Sequence, residues 1–146
     1  MATIGGRTAP GQFWAVAGLL TAWGALGCYA CLQHLLHGAE ALGSPSDYDL
    51  ALYASLPSWY DGVYAVAVVA GFLGGIALLM RSSFARMLFA MALIAVVVQF
   101  GWLFATTDIV AAKGALAVVP FPAFIFAVTL LSIWYTGFAQ RRGWIA

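Results

Sequence analysis

The chain has 146 residues, 64% of them hydrophobic and only 8% charged, with a mean hydropathy of +0.98. Soluble domains carry about 25% charged residues, and six basic and five acidic side chains cannot cover a soluble domain of this size. A net charge of +1 supplies no bulk field for nucleic acid, and no nucleic-acid partner is expected.

The first apolar run extends from about Phe13 to Leu36. Its length exceeds the roughly 7–15 residues of a signal-peptide core, so it reads as a membrane span rather than a cleaved leader. The longest loop follows, His37 to Ser58. It contains Gly43-Ser44-Pro45-Ser46-Asp47, a turn signal, and a short interfacial helix is expected over Asp49 to Leu56. The second run goes from about Trp59 to Met80. Only Arg81-Ser82-Ser83 separates it from the third, Phe84 to Thr106. So short a link makes the two antiparallel neighbours, with Ser82 or Ser83 capping the third helix. Ile109 to Val119 carries Lys113 and Gly114, and either lies at the interface or extends the next helix. The fourth run goes from about Pro120 to Phe138. Pro120 and Pro122 suit a first helical turn, where missing N–H groups cost nothing.

Each run is near the roughly 20 residues that cross a 30 Å hydrocarbon core. Lipid offers no partners to free backbone groups, so the spans must be helical. The expected fold is an all-α membrane protein, a four-transmembrane-helix bundle forming one domain over residues 1–146.

Four crossings place Arg7, Arg81, Arg86, Arg141 and Arg142 on one side. Glu40, Asp47, Asp49, Asp61 and Asp108, all the acids, fall on the other with Lys113. Basic residues stay on the cytoplasmic side of inner-membrane proteins. Both termini are therefore expected in the cytoplasm, with the 37–58 loop in the periplasm of a bacterium. Tyr48, Tyr53, Trp59, Tyr60 and Trp102 mark the outer interface, and Trp14, Trp134 and Tyr135 the inner one.

Small residues suggest where helices meet. Ala67, Gly71 and Gly75 recur at intervals of four, beside Gly74, and Gly24 with Cys28 and Gly27 with Cys31 repeat that spacing. Such stripes let backbones approach closely. They serve packing within one protomer, or contact with a second copy or another integral membrane subunit.

Polar residues inside the spans cluster near the outer end: Gln33, His34 and His37, then Asp61 and Tyr64, then Gln99 and Trp102. At about 1.5 Å per residue, Gln99 stands about 20 Å above the start of its helix. Gln33, His34, His37, Asp61, Gln99 and Trp102 are the candidate ligand-binding residues. Each has a structural alternative. Ser58-x-x-Asp61 has capping-box spacing, and Gln99 can serve as an interhelical hydrogen bond.

Cys28-x-x-Cys31-x-x-His34-x-x-His37 holds metal-binding residue types. A step of three drifts around a helix of 3.6 residues per turn, so one straight helix cannot aim all four at one ion. No metal is expected. The cysteines read as packing residues, not a disulfide framework. No ionisable residue falls at a span midplane, where pumps place one. No phosphate loop, nucleophile elbow or metalloprotease pattern occurs, and an enzyme is not expected.

Leu56-Pro57-Ser58-Trp59, Ala65-Val66-Ala67, Gly71-Phe72-Leu73-Gly74, Leu78-Leu79-Met80-Arg81, Trp23-Gly24-Ala25-Leu26-Gly27 and Gln99 resemble a family of small four-span bacterial inner-membrane proteins of unassigned function, sometimes labelled sugar transporters. The resemblance covers the first three spans. It implies the fold but no mechanism.

The expected role is non-catalytic: an accessory or assembly subunit that docks on a larger inner-membrane complex through apolar helix faces. No cofactor is required by any motif, although the aromatic surface suits contact with quinone, carotenoid or another pigment. Expected partners are membrane lipid and other integral membrane subunits or a homo-oligomer. The alternative is a small dimeric transporter with a periplasm-facing polar site.

Overall fold

The computed structural model describes residues 9–38, 40 and 45–145. Arg7 and the Gly43-Ser44 part of the expected turn lie outside the described residues. Helices α1 (Gly11–His37), α2 (Asp47–Ser55), α3 (Ser58–Leu79), α4 (Phe84–Thr106), α5 (Ile109–Lys113), α6 (Ala115–Val118) and α7 (Pro120–Arg141) follow one another. No strand occurs among the described residues. Four of the helices, α1, α3, α4 and α7, are long and apolar enough to cross a membrane. The chain is an all-α bundle, with span boundaries close to those predicted.

Local chemistry explains the breaks. Gly38, at φ +58°, ends α1 and donates its N–H to the His34 carbonyl. The short helix predicted over Asp49 to Leu56 is present as α2, starting two residues earlier and begun by Ser46. The Ser46 hydroxyl accepts from the Asp49 N–H, and the Asp49 carboxylate accepts from the Ser46 N–H, a reciprocal capping box. The box predicted at Ser58-x-x-Asp61 does not form. Pro57 is the N-cap of α3, with no side-chain cap bond. Ser58 therefore sits one residue inside the helix, and Asp61 lies too far along it to reach back. At α4, Ser83 occupies the N-cap without a side-chain bond, while the Ser82 hydroxyl accepts from the Phe84 N–H at 3.2 Å. The 109–119 segment is two short helices broken at Gly114, which takes φ +88°.

The α3–α4 hairpin closes by an unusual route. Ser82 N–H bonds to the Ala77 carbonyl and Arg81 N–H to the Leu78 carbonyl, both at 2.9 Å, the pair of bonds that ends a helix in a Schellman turn. The left-handed position of such a turn usually belongs to glycine. Here it is Arg81, at φ +58°. Its side chain is buried, and Nε donates to the Trp144 carbonyl at 2.6 Å. Trp144 closes a second such turn, at the end of α7, where glycine does take the left-handed place: Gly143 at φ +75°. One arginine side chain thus ties the two turns together.

Helix α3 is central, packed on α1 along one side and α4 along the other, and α7 packs on α4. The α1–α3 contact is backbone-close. A Cβ on Gly24 would lie 2.5 Å from the Phe72 Cα, one on Gly27 3.2 Å from Val68 Cγ1, and one on Gly75 2.6 Å from Thr21 Oγ1. Gly74 faces α4 instead, where a Cβ would lie 2.7 Å from the Phe89 ring. Ala67 packs with Ala95 and Val96 of α4. A Cβ on Gly71 would meet nothing within 4 Å. The predicted Ala67, Gly71 and Gly75 stripe is therefore divided. A step of four overshoots a 3.6-residue turn by about 40°, so two steps carry Gly75 onto α1 while Ala67 stays on α4, and Gly71 lies in neither seam.

Helix α7 buries small polar residues absent from the predicted packing set. Thr129, Ser132 and Thr136 are buried on α7. Each hydroxyl donates to the carbonyl four residues back, which satisfies it inside its own helix. Aromatic rings bridge α1 to α7: Trp23 meets Phe124 edge-on with centroids 5.3 Å apart, and Phe13 stacks on Tyr135 at 6.4 Å.

Gly24→Ala should destabilise the protein by about 1–3 kcal/mol, the usual penalty of overpacking, because its Cβ would meet backbone rather than a side chain that can move. Gly71→Ala should fall within about 0.5 kcal/mol of the parent. Unfolding in mixed micelles measures both, and equal losses would contradict the divided stripe.

Candidate functional site at the acidic end

The α1–α3 register decides which polar groups meet. In antiparallel helices each residue advances about 1.5 Å, so a step along α1 is matched by a step back along α3. Thr21 lies at Gly75, Gly24 at Phe72, and Gly27 and Cys28 at Val68. Continuing that register brings the end of α1 to the first turn of α3, where His34 Nε2 and Asp61 Oδ1 are 2.7 Å apart. The His34 side chain is 12% exposed and that of Asp61 48%. The pair therefore has a covered base and an open acid. Tyr53 of α2 and Tyr64 of α3 flank the imidazole, with ring centroids at 5.2 and 5.3 Å.

Gln99 is buried on α4, and its amide meets the Tyr60 hydroxyl. Trp102 lies one turn further on, against Trp59 and Tyr60 at centroid distances of 5.7 and 5.6 Å. Two groups of predicted residues thus form around the start of α3: His34 with Asp61, and Gln99 with Trp102 around Tyr60. Among the described residues, no hydrogen bond or ring contact joins Gln33 or His37 to either group. Gln33 is half-buried on α1, and His37 is exposed at its end.

Helix α2 is strapped across this end by two bonds. Asp49 pairs with Lys113, and the Tyr48 hydroxyl donates to Asp108 Oδ1 at 2.8 Å. Both partners belong to the chain between α4 and α6. The Lys113 ammonium, followed by the Ser46 backbone N–H, holds the Asp49 carboxyl below the usual aspartate range. Burial, followed by the hydrogen bond to Asp108, pushes the Tyr48 phenol up. Sequence reasoning missed the Asp49–Lys113 pair. Its signal was present, because Lys113 is the lone cation among five acids. A shallow groove of about 400 Å³ runs between α2 and the end of α4, lined by Tyr48, Leu52, Ser55, Thr106, Thr107 and Asp108.

This arrangement can hold a proton between His34 and Asp61 and can present the open Asp61 oxygen to a polar ligand. Among the described residues, no three His, Cys, Asp or Glu side chains converge as metal ligands would. The Cys28 thiol instead donates to the Val68 carbonyl at 3.5 Å, and Cys31 is buried.

Asp49 gives the strap a pH dependence. A carboxyl whose folded value is depressed adds stability above its unfolded value, near 3.8, and that stability is lost as pH falls through the lower folded value. Amide protection over Asp47–Ser55, taken relative to the intrinsic exchange rate at each pH, should be high at neutral pH and fall only below the ordinary aspartate range. Lys113→Met should move the loss of protection to higher pH; no difference between the two proteins would exclude the ion pair as the clamp.

No protein-family model, characterised protein or solved structure matches the chain.

Proposed function

We propose that this protein is a non-catalytic accessory or assembly subunit of the bacterial inner membrane, docking on a larger membrane complex through the outward faces of α4 and α7. One observation carries the reading. Toward the acidic end an apolar groove of about 320 Å³ lies between these helices, lined by Val97, Phe100, Gly101, Phe104, Pro122 and Phe126 among others. A Cβ on Gly101 would meet nothing within 4 Å, so the groove floor is open to a knob from outside. Large apolar side chains of its walls are open to the outside, with Val97, Val119 and Phe126 each about 40–50% exposed. In lipid, helices associate by close packing rather than by a hydrophobic force, and a groove with a glycine floor suits a partner's side chain. A quinone, carotenoid or other pigment tail is the small-molecule counterpart of such a knob.

The second reading is a small dimeric transporter, favoured by the His34–Asp61 pair with its open carboxylate. Four spans are few for alternating access, so a second copy completes it.

Purified at native expression in mild detergent, the protein should carry a stoichiometric membrane partner. Gly101→Phe should release that partner while leaving thermal stability unchanged. A lone monomer or homodimer would remove the subunit reading, and uptake assays on Asp61→Asn would then test the second.

The proposed topology has both termini in the cytoplasm, following the four described arginines at the shared end of α1, α3, α4 and α7. A fluorescent protein fused at the C terminus should fluoresce, and alkaline phosphatase fused there should be inactive. The opposite pattern would invert the assignment.

A further inference from the structure

The basic end holds an arrangement that the bundle itself does not need. Arg86 stands in the first turn of α4 and Arg141 in the last turn of α7. Their guanidinium groups converge over one backbone position, the buried Gly137. A Cβ there would lie 3.5 Å from Arg141 Nη1, 3.7 Å from Arg86 Cζ and 3.8 Å from Arg86 Nη2. Like charges so close repel. Arg86 also opposes the positive N-terminal end of the α4 dipole.

The negative end of the α7 dipole favours the two cations in part, but no acid among the described residues stands beside them. The ion pairs among the described residues are His34–Asp61 and Lys113–Asp49, and all five acids lie at the other end of the bundle. Arg142 differs from the two, because its guanidinium sits 5.2 Å over the Phe138 ring. Arg86 and Arg141 are both exposed. An anion between them would remove the repulsion and accept forked hydrogen bonds, which guanidinium groups give to phosphate oxygens. Trp134, 57% exposed, lies one turn before Gly137 on α7. Tryptophan prefers the headgroup level of a bilayer, where the phosphates of anionic lipids are found.

We propose that Arg86 and Arg141, over the floor left by Gly137, form a phosphate-binding site filled by the headgroup of an anionic phospholipid. The site depends on neither reading of the protein's function.

The test uses the full chain, delipidated in a neutral maltoside detergent. Phosphatidylglycerol, phosphatidylcholine and inorganic phosphate are titrated separately, and both the thermal midpoint and the lipid retained in native mass spectrometry are followed. Phosphatidylglycerol should raise the midpoint saturably and stay bound as one molecule, and phosphatidylcholine should do neither. An equal effect of inorganic phosphate would keep the site and make free phosphate its occupant. Arg86→Gln and Arg141→Gln should each weaken binding about tenfold or more, the scale of one charge-assisted hydrogen bond. Arg142→Gln removes the same charge from the same end and should leave binding within about twofold, which corresponds to a few tenths of a kcal/mol. Equal losses in all three variants would reduce the site to diffuse charge and overturn it, as would unchanged binding in Arg86→Gln and Arg141→Gln. Arg86→Lys, which keeps charge but loses the fork, should fall between the parent and Arg86→Gln, and guards against misfolding of the glutamine variants.

Discussion

The close approach of α1 and α3 organises this molecule. Gly24 brings the two helices together until only a hydrogen atom separates its Cα from the Phe72 backbone. Thr21 at Gly75 and Gly27 at Val68 hold the same register. Because both helices are rigid and advance equally, the register set near the middle is carried to the end. It brings His34 opposite Asp61 and turns Cys28 onto the Val68 carbonyl. The polar site is thus a distant consequence of glycine packing, and a shift by one residue would part its two members.

The two ends are built by different electrostatics. At the acidic end, charges find partners within the chain: Asp61 with His34, Asp49 with Lys113, and Asp108 with Tyr48. That end is tied shut by its own bonds, with α2 as the strap. At the basic end, Arg81 is absorbed into backbone structure, bonded to the Trp144 carbonyl from a left-handed position. Holding a non-glycine residue there costs about 1–3 kcal/mol, offset by linking the ends of α3 and α7. Arg86 and Arg141 are exposed, with no acid beside them among the described residues. One end is completed by the protein, and the other leaves its charges turned toward the surroundings.

The predicted site was legible as a level in the membrane but not as a set of contacts. Counting residues from each helix end placed His34, Asp61 and Gln99 at similar depth, because rise per residue is constant. Rotation about each helix was not readable in the same way. His34 and Asp61 meet, while Gln33 and His37, a residue or a turn away on the same helix, remain outside that contact. Gln99 reached Tyr60 rather than the His34–Asp61 pair. The capping box was misplaced for a similar reason. Ser58-x-x-Asp61 and Ser46-x-x-Asp49 have the same spacing, and only the position of Pro57 as the N-cap disqualifies the first.

Hydropathy by itself determined the four spans, their boundaries and the separation of arginines from acids, because the length of an apolar run and the cost of charge in lipid are local properties. The short helix α2 and the Arg81-Ser82-Ser83 hairpin were equally local. Tertiary structure alone decided which glycines are seams and which are surface, that the hydroxyls of Thr129, Ser132 and Thr136 are buried, and that Lys113 clamps Asp49 across 64 residues. Those outcomes depend on the rotation and register of one helix against another. Several helix rotations satisfy the same hydropathy, and only simultaneous packing on two neighbours selects one.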